Sequence, residues 1–338
     1  MQSGSTSEAE IVELKVAIEA KNLTKRYGEF IAVNSLNLKV FEGEFFGLLG
    51  PNGAGKTTTV KMLTGLTKPT EGETLIMGAN IMERPLDVKR IIGVVPEVSN
   101  IYVEMTAWEN LIFAAELYDV PRDEAFERAK TLLEVFGLYD RRHDKSANFS
   151  KGMRRRLAIA MALVHNPRVL FLDEPTSGLD VQSTRNIREV VRRLNKDGVT
   201  VFMTTHFIDE ADNLCGRVGI INRGQLVALD TPERLKQAIG GRLSVEVSLQ
   251  PMPSLEEFKE VANDIMKTGD KFIIYTENPS TTLSELVKLA NMKEWKIVSV
   301  RTLTPSLEDV FVKLTGLTAV DVERLELIRP SGRGRGRE

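Results

Sequence analysis

The chain has 338 residues with 45 Lys and Arg against 47 Asp and Glu, so its net charge of −2 gives no global attraction to nucleic acid or anionic membranes. Its length allows two or three domains, and its single cysteine excludes an internal disulfide and a CxxC metal site. No apolar stretch approaches the roughly 20 residues that span a bilayer, and the polar start is unlike a signal peptide. We expect a chain that is soluble in itself and reaches a membrane only through a partner.

The first predicted elements are strands. Residues 1–14 are polar, and we expect a loose start there. The next segment alternates apolar and polar residues and becomes fully apolar in EFFGLLG (44–50), which is typical of half-exposed strands leading into a buried central strand. A helix is then predicted over 56–66, a strand and turn over 72–81, and a buried strand over 91–97.

A phosphate-binding loop joins the buried strand to the first helix. In the pattern GxxxxGKT, glycines lack the Cβ that would prevent the backbone N–H groups from converging on one anion. The N-terminus of the following helix adds partial positive charge. Lys56 would bridge the β- and γ-phosphates of a nucleoside triphosphate, and the hydroxyl of Thr57 would bind Mg²⁺. The predicted nucleotide contacts of this loop are Gly50, Pro51, Asn52, Gly53, Ala54, Gly55, Lys56, Thr57 and Thr58.

Helices are predicted between residue 106 and about residue 165. One begins at Thr106 with Glu109 three residues later, which is a capping box. Another opens on Pro121 with acidic residues in its first turn, as helix starts prefer.

A further helix begins in the segment NFSKGMRRRLAIAMAL (148–163). Ser150 is a good cap, and Gly152 lets the backbone approach an anion. Alone, this pattern indicates only a helix N-terminus. A second phosphate-compatible helix start in one chain suggests that two copies meet, each closing on the nucleotide that the other holds.

Two carboxylates follow the next predicted strand, at 168–175. Asp173 would hold Mg²⁺, mostly through water, and Glu174 is placed to act as general base towards the attacking water. A later strand, at 200–206, ends in His206, which could hydrogen-bond to the γ-phosphate and orient that water. A lone histidine at a strand end more often has a structural role, but its position after the two carboxylates favours the catalytic one.

The third region is predicted to be a small α+β accessory domain over 240–316. Its predicted strands are 243–249, 271–277 and 294–302, and its predicted helices are 254–267, 281–292 and 305–316. The tail, 317–338, ends in the Gly/Arg-rich sequence RPSGRGRGRE, and we expect this end to be disordered and solvated.

Several of these motifs in order resemble the nucleotide-binding subunit of an ATP-binding cassette (ABC) transporter, over roughly residues 15–238. The resemblance implies an α/β fold, a P-loop NTPase cassette with a helical subdomain inserted at about 98–165. It implies that Tyr27 stacks on adenine and that His206 is the switch histidine. The residues that it places at the signature motif and the D-loop are Ser150, Lys151, Gly152, Met153 and Asp180.

Two motifs depart from the family pattern. Glu97 stands where the family usually has the Q-loop glutamine; it can still contact Mg²⁺ or water but adds negative charge beside the γ-phosphate. The signature, usually LSGGQ, is FSKGM here, and Met153 cannot make the polar contacts of glutamine. The segment TPSLEDVFVKLTG (304–316) is similar to the C-terminal part of drug-export subunits of the daunorubicin-resistance type.

The resemblance implies an ATP-hydrolysing subunit of an exporter, with ATP and Mg²⁺ as cofactors. Its expected partners are a polytopic membrane permease and a second ATP-binding subunit, favouring a homodimer, at the inner face of the cell membrane in the cytoplasm. No nucleic acid is expected. The alternatives are a soluble ABC ATPase acting on nucleic acid or ribosomes, which only the Arg-rich tail favours, and a P-loop kinase or GTPase, which the D-loop, signature and His206 disfavour.

Overall fold

The computed structural model describes residues 15–98, 100–238, 243–258, 264–303 and 306–316. The predicted loose start and the Gly/Arg-rich tail lie outside these residues. The chain divides between Thr231 and Pro232 into two compact units.

The first unit contains two sheets and seven of the described helices. Its strands are β1 (Val16–Tyr27), β2 (Phe30–Phe41), β3 (Phe45–Leu49), β4 (Glu71–Ile76), β5 (Ala79–Asn80), β6 (Ile92–Val95), β7 (Val169–Asp173), β8 (Thr200–Thr205), β9 (Arg217–Asn222) and β10 (Gln225–Asp230). Its helices are α1 (Lys56–Leu63), α2 (Pro85–Ile91), α3 (Ala107–Leu117), α4 (Arg122–Val135), α5 (Lys151–Leu163), α6 (Val181–Lys196) and α7 (Ile208–Leu214).

The central sheet has the strand order β10-β9-β3-β8-β7-β6, and all its neighbours are parallel except β10. Every residue of β3, β7 and β8 is buried, as expected for parallel strands covered on both faces. The strands predicted at 44–50, 168–175 and 200–206 are confirmed, as is the burial predicted for the first of them. Because parallel strands share one carboxyl edge, the segments that follow β3, β7 and β8 meet there.

The second sheet is antiparallel, with the order β2-β1-β4-β5. Helix α1 contacts strands of both sheets, and Val60, Met62 and Leu63 are buried in the same core as Phe46 and Phe202. The helix ends at Leu63, earlier than predicted, because the chain turns at Gly65, which has a φ of 69°.

Helices α3, α4 and α5 pack on one another and form the helical block. The predicted capping box is confirmed: Thr106 accepts from the backbone N–H of Glu109, whose side chain accepts from the N–H of Thr106. Pro121 is the N-cap residue of α4. Helix α5 also contacts β6 and α6, so the block is joined directly to the central sheet.

The second unit contains an antiparallel sheet of order β12-β13-β11-β14. Its elements are α8 (Pro232–Ala238), β11 (Leu243–Gln250), β12 (Ile265–Thr268), β13 (Lys271–Thr276), α9 (Pro279–Met292), β14 (Lys296–Leu303) and α10 (Leu307–Thr315). Helix α9 contacts β11 and β14, and the core includes Val245, Phe258, Phe272 and Leu286.

One predicted helix of this unit is wrong. Within 254–267, Leu255–Phe258 is a short 3-10 turn and β12 is a strand paired with β13. Residues 259–263 of that segment lie outside the described part of the chain. Throughout the described ranges, no helix combines the length and apolar character needed to cross a bilayer.

Candidate active site

The loop between β3 and α1 depends on glycine at three positions. Gly53 and Gly55 have φ values of 80° and 108°, in the left-handed region that favours glycine. A Cβ on Gly55 would lie 2.6 Å from the carbonyl oxygen of Ala32, and one on Gly50 would collide with that of Ile221. The glycines therefore serve both the turn and the close packing of the loop against neighbouring backbone.

Lys56, the first residue of α1, is directed into this loop. Its ammonium donates to the carbonyl oxygens of Gly50, at 2.7 Å, and Pro51, at 3.1 Å. It also forms an ion pair with Oε1 of Glu174 at 3.1 Å, and its side chain is only 4% exposed. A phosphate in the loop would have to compete with that carboxylate for the ammonium.

Thr57 and Asp173 lie side by side at the carboxyl edge of the sheet. The Thr57 hydroxyl donates to Oδ1 of Asp173 at 3.3 Å, and the Thr204 hydroxyl donates to the same oxygen at 2.6 Å. Burial raises the pKa of Asp173, although both hydrogen bonds oppose the rise. A hydroxyl and a buried carboxylate next to a phosphate-binding loop form an oxygen donor set that suits Mg²⁺.

Glu174 has both carboxylate oxygens held by basic side chains. Oε1 faces Lys56, and Oε2 is 3.1 Å from Nδ1 of His206. Burial alone would raise the pKa of Glu174, but the His206 hydrogen bond and the Lys56 charge outweigh it and lower the pKa to about 2. The structure thus brings together the three residues that the sequence predicts to be catalytic.

A cavity of about 350 Å³ opens beside these residues. Its lining comprises Phe30, Ala32, Asn52, Gly53, Gly55, Lys56, Thr57, Thr58, Glu97 and Glu174. Glu97 is the second residue after β6, so the predicted Q-loop position does face this space.

Phe30 is a cavity residue that the sequence analysis missed. It pairs with Tyr27 across the β1–β2 hairpin, and the two aromatic residues are 62% and 50% exposed. Only Phe30 of this pair is part of the cavity lining. The available signal was a second aromatic residue at the tip of the same hairpin, three positions after Tyr27.

The signature segment forms a second cluster with the D-loop. Ser150 caps α5 by accepting from the N–H of Met153 at 3.2 Å, and Asp180 caps α6 by accepting from the N–H and hydroxyl of Ser183, at 2.8 and 2.7 Å. A Cβ on Gly152 would lie 2.7 Å from Cβ of Ser183 and would collide with its hydroxyl. Gly152 therefore allows the two helix N-termini to approach closely.

The remaining signature residues complete this cluster. The ammonium of Lys151 lies so close to Gly178 that a Cβ there would collide with it, which gives the lysine a neighbour in the D-loop. The sulfur of Met153 accepts from Arg141 at 3.6 Å. None of the described residues that line the cavity beside Lys56 belongs to the signature or the D-loop.

Comparisons with known proteins identify the family of this chain. Residues 33–177 match the family described as ABC transporter, and residues 231–315 match the C-terminal domain of DrrA1-3-like ATP-binding proteins. The linearmycin resistance ATP-binding protein LnrL of Bacillus subtilis is 36% identical over 312 residues, covering 90% of this chain and 100% of that protein. The Nod factor export ATP-binding protein I of Burkholderia lata is 36% identical over 300 residues, covering 88% and 97%.

A solved structure supports the fold. The dimeric post-hydrolysis state of an ATP-binding cassette bound to ADP and Pi has a TM-score of 0.58 and 31% identity, covering 63% of this chain and 98% of that one. These matches confirm the predicted fold class, family and export subgroup, and they do not favour an ATPase acting on nucleic acid or ribosomes. The chain belongs to the ABC transporter family, as an ATP-hydrolysing subunit of the export type with a DrrA-like C-terminal domain.

Proposed function

We propose that two copies of this chain close around two ATP molecules and thereby drive a separate membrane-spanning permease. One observation carries the proposal: the signature and D-loop residues form a cluster that contributes nothing to the described lining of the cavity beside the phosphate-binding loop. A signature supplied by a second copy would complete each site. The γ-phosphate then contacts both chains only in the closed dimer, which is the differential binding that a population shift requires.

In this proposal the loop N–H groups and Lys56 bind the phosphates, and Tyr27 with Phe30 covers the adenine. Thr57 and Asp173 would hold Mg²⁺, with Glu97 near it, and the bound ion would offset phosphate charge. These contacts orient the γ-phosphate for attack by water.

Glu174 is the proposed general base. While it is paired with Lys56 it is a weak base, because its pKa is about 2. A γ-phosphate that draws Lys56 away removes a cationic partner and so raises that pKa towards its ordinary value. His206 keeps the other oxygen in place, so the free oxygen can accept the proton of the attacking water.

The permease and the location follow from the same proposal. A subunit without a described spanning helix would associate peripherally with the cytoplasmic face of the membrane through its permease. Glu97 and the helical block would contact the permease and respond to closure, since α5 connects that block to β6.

The test is a pull-down with tagged Glu174→Gln, which should bind Mg-ATP, stay paired and turn over at least about 100-fold more slowly. Membranes solubilised in mild detergent with Mg-ATP should yield a stoichiometric polytopic membrane protein. The matched control, Lys56→Ala with Glu174→Gln, should fail to bind ATP and should not show ATP-dependent pairing. Recovery of ribosomal proteins or nucleic acid without a membrane protein would refute the proposal.

A further inference from the structure

Arg155 of α5 has its charged end buried among backbone carbonyls. The side chain donates to Pro175 O at 3.0 Å from Nε and to Asp173 O at 2.5 Å from Nη2. Its Nη1 donates to Pro96 O and, at 3.3 Å, to Glu97 O. The residue is 4% exposed, so one guanidinium connects the signature helix to the segments that follow β6 and β7.

These contacts bracket the proposed base. Asp173 and Pro175 are the residues immediately before and after Glu174, and Arg155 binds the carbonyl of each. Glu174 itself has a φ of 46°, a conformation that non-glycine residues rarely adopt and that persists only when neighbours fix it. Its N–H donates to the hydroxyl of Thr204 at 3.0 Å. The backbone that aims the carboxylate is therefore fixed from both sides.

The neighbouring arginines, Arg154 and Arg156, bind carbonyls in a different part of the chain. Arg154 donates to Ala147 O and Arg156 donates to Phe136 O, each at 2.6 Å, and both acceptors belong to the helical region. Burial lowers the pKa of Arg155 to about 10, against the opposing charges of Asp173 and Glu97, so it stays cationic at neutral pH. Of the three consecutive arginines, Arg155 is the one whose described contacts reach the ends of β6 and β7.

We propose that Arg155 is a positioning residue that makes the orientation of Glu174 depend on the seating of the signature helix and of Pro96–Glu97. A shift of α5 or of that segment would release the carbonyls that flank Glu174, and the strained conformation would relax. Hydrolysis would then require the helical block to be correctly docked on the sheet. The inference rests on the proposed role of Glu174 as base.

The experiment compares the full-length variants Arg155→Met and Arg155→Lys with Arg156→Met as the matched control. The control removes the same charge from the same helix. It also leaves the carbonyl of Phe136 without its donor, away from the ends of β6 and β7. Both Arg155 variants should lower kcat by about 10- to 100-fold and leave the Kd for Mg-ATP within about threefold, because a misaimed base costs rate rather than binding. Arg156→Met should retain kcat within about threefold.

Arg155→Lys keeps the charge and tests the proposal even if Arg155→Met does not fold, since one ammonium cannot reach all the carbonyls at the ends of both β6 and β7. Wild-type kcat in Arg155→Lys would overturn the inference, as would an equal loss in Arg156→Met.

A double-mutant cycle separates positioning from general damage. In the Glu174→Gln background, Arg155→Lys should cause little further loss of hydrolysis, because the group that it positions is already removed. A full additive loss would contradict the inference. The two proposals fail differently: rapid turnover by Glu174→Gln alone refutes the base, whereas an inactive Glu174→Gln with active Arg155 variants refutes only the positioning role.

Discussion

At the residue scale, the carboxylate of Glu174 has to meet two requirements if it is to act as the proposed general base. It must be ionised to accept a proton, and it must stay aimed at the position of a water molecule. The contacts of Lys56 and His206 satisfy both, because each stabilises the negative charge and each fixes one oxygen. In the proposed mechanism, a bound phosphate takes the place of Glu174 at Lys56, so the pKa of Glu174 depends on the presence of substrate.

The low pKa of Glu174 predicts a pH dependence of stability. Its folded-state pKa is about 2 against an ordinary 4.5, so its ionised form stabilises the fold above about pH 4.5, and this contribution is lost as the pH falls towards 2. Glu174→Gln should therefore be less stable than the wild type at pH 7, and the difference should shrink between pH 5 and pH 3. Urea unfolding of both proteins at several pH values measures this difference in the free energy of unfolding.

Glu29→Gln is the control for this measurement, because it removes a negative charge from an exposed turn. Its stability relative to the wild type should change less over the same range. A Glu174→Gln difference that stays constant or grows on acidification would show that the native contacts do not favour the ionised carboxylate.

Side-chain direction limited what could be predicted for single residues. The positions of four site residues could be predicted, because each ends or follows a buried strand or a glycine loop at a characteristic spacing. These residues are Lys56, Asp173, Glu174 and His206. The role of Arg155 could not, because three consecutive arginines look alike until packing directs one of them inwards.

At the element scale, the contact between α5 and α6 requires glycine at position 152, independently of any approach of its backbone to an anion. Gly152→Ala should displace α6 and the D-loop, because the added methyl group would meet Ser183. We expect an ATPase loss of at least about 10-fold, since misplacement of about 1 Å can cost that much. Ser183→Gly in the same chain should restore much of the activity, because it removes both colliding atoms.

Ser183→Ala is the matched comparison. It removes the hydroxyl but keeps the Cβ, which would remain 2.7 Å from the new methyl group, so it should restore less activity than Ser183→Gly. The measurement is the steady-state ATPase rate of Gly152→Ala alone, with Ser183→Gly and with Ser183→Ala. If neither substitution restores activity, Gly152 is needed for its approach to phosphate alone.

Most of the predicted elements are present in the structure, and the exceptions have different causes. Strands with uninterrupted apolar runs, such as β3 and β7, can be recognised in the sequence because burial on both faces requires apolar residues. β12 was predicted as part of a helix because helical spacing of apolar residues continues through it, and pairing with β13 overrides that local preference. Short α2 lacks enough turns to show a period.

At the scale of the whole molecule, each compact unit has its own buried core. The match to ABC transporters falls in the first unit, and the match to DrrA-like C-terminal domains coincides closely with the second. All the proposed catalytic groups belong to the first unit, so the second is not needed to assemble them. Within the first unit, no signature residue lines the cavity beside Lys56, and in the proposed dimer the cavity and the signature cluster are two half-sites.

Half-sites on one chain predict complementation between two inactive variants. Lys56→Ala should lose ATP binding at its own cavity but keep its signature. Ser150→Asp should keep its helix cap, since aspartate caps as well as serine, but repel the γ-phosphate of the partner's ATP. In a mixed dimer, the cavity of the Ser150→Asp chain faces the signature of the Lys56→Ala chain, and both are intact.

Each variant alone should hydrolyse ATP at under about a hundredth of the wild-type rate. Mixed dimers, purified through two different tags, should recover up to about half of it, because one of two symmetric sites is complete. Dimers that carry both substitutions on one chain beside a wild-type chain are the control; they too contain only one intact cavity and one intact signature, but these lie on the same chain and cannot meet. Activity in that control together with inactivity in the mixed dimer would mean that each chain closes on its own nucleotide.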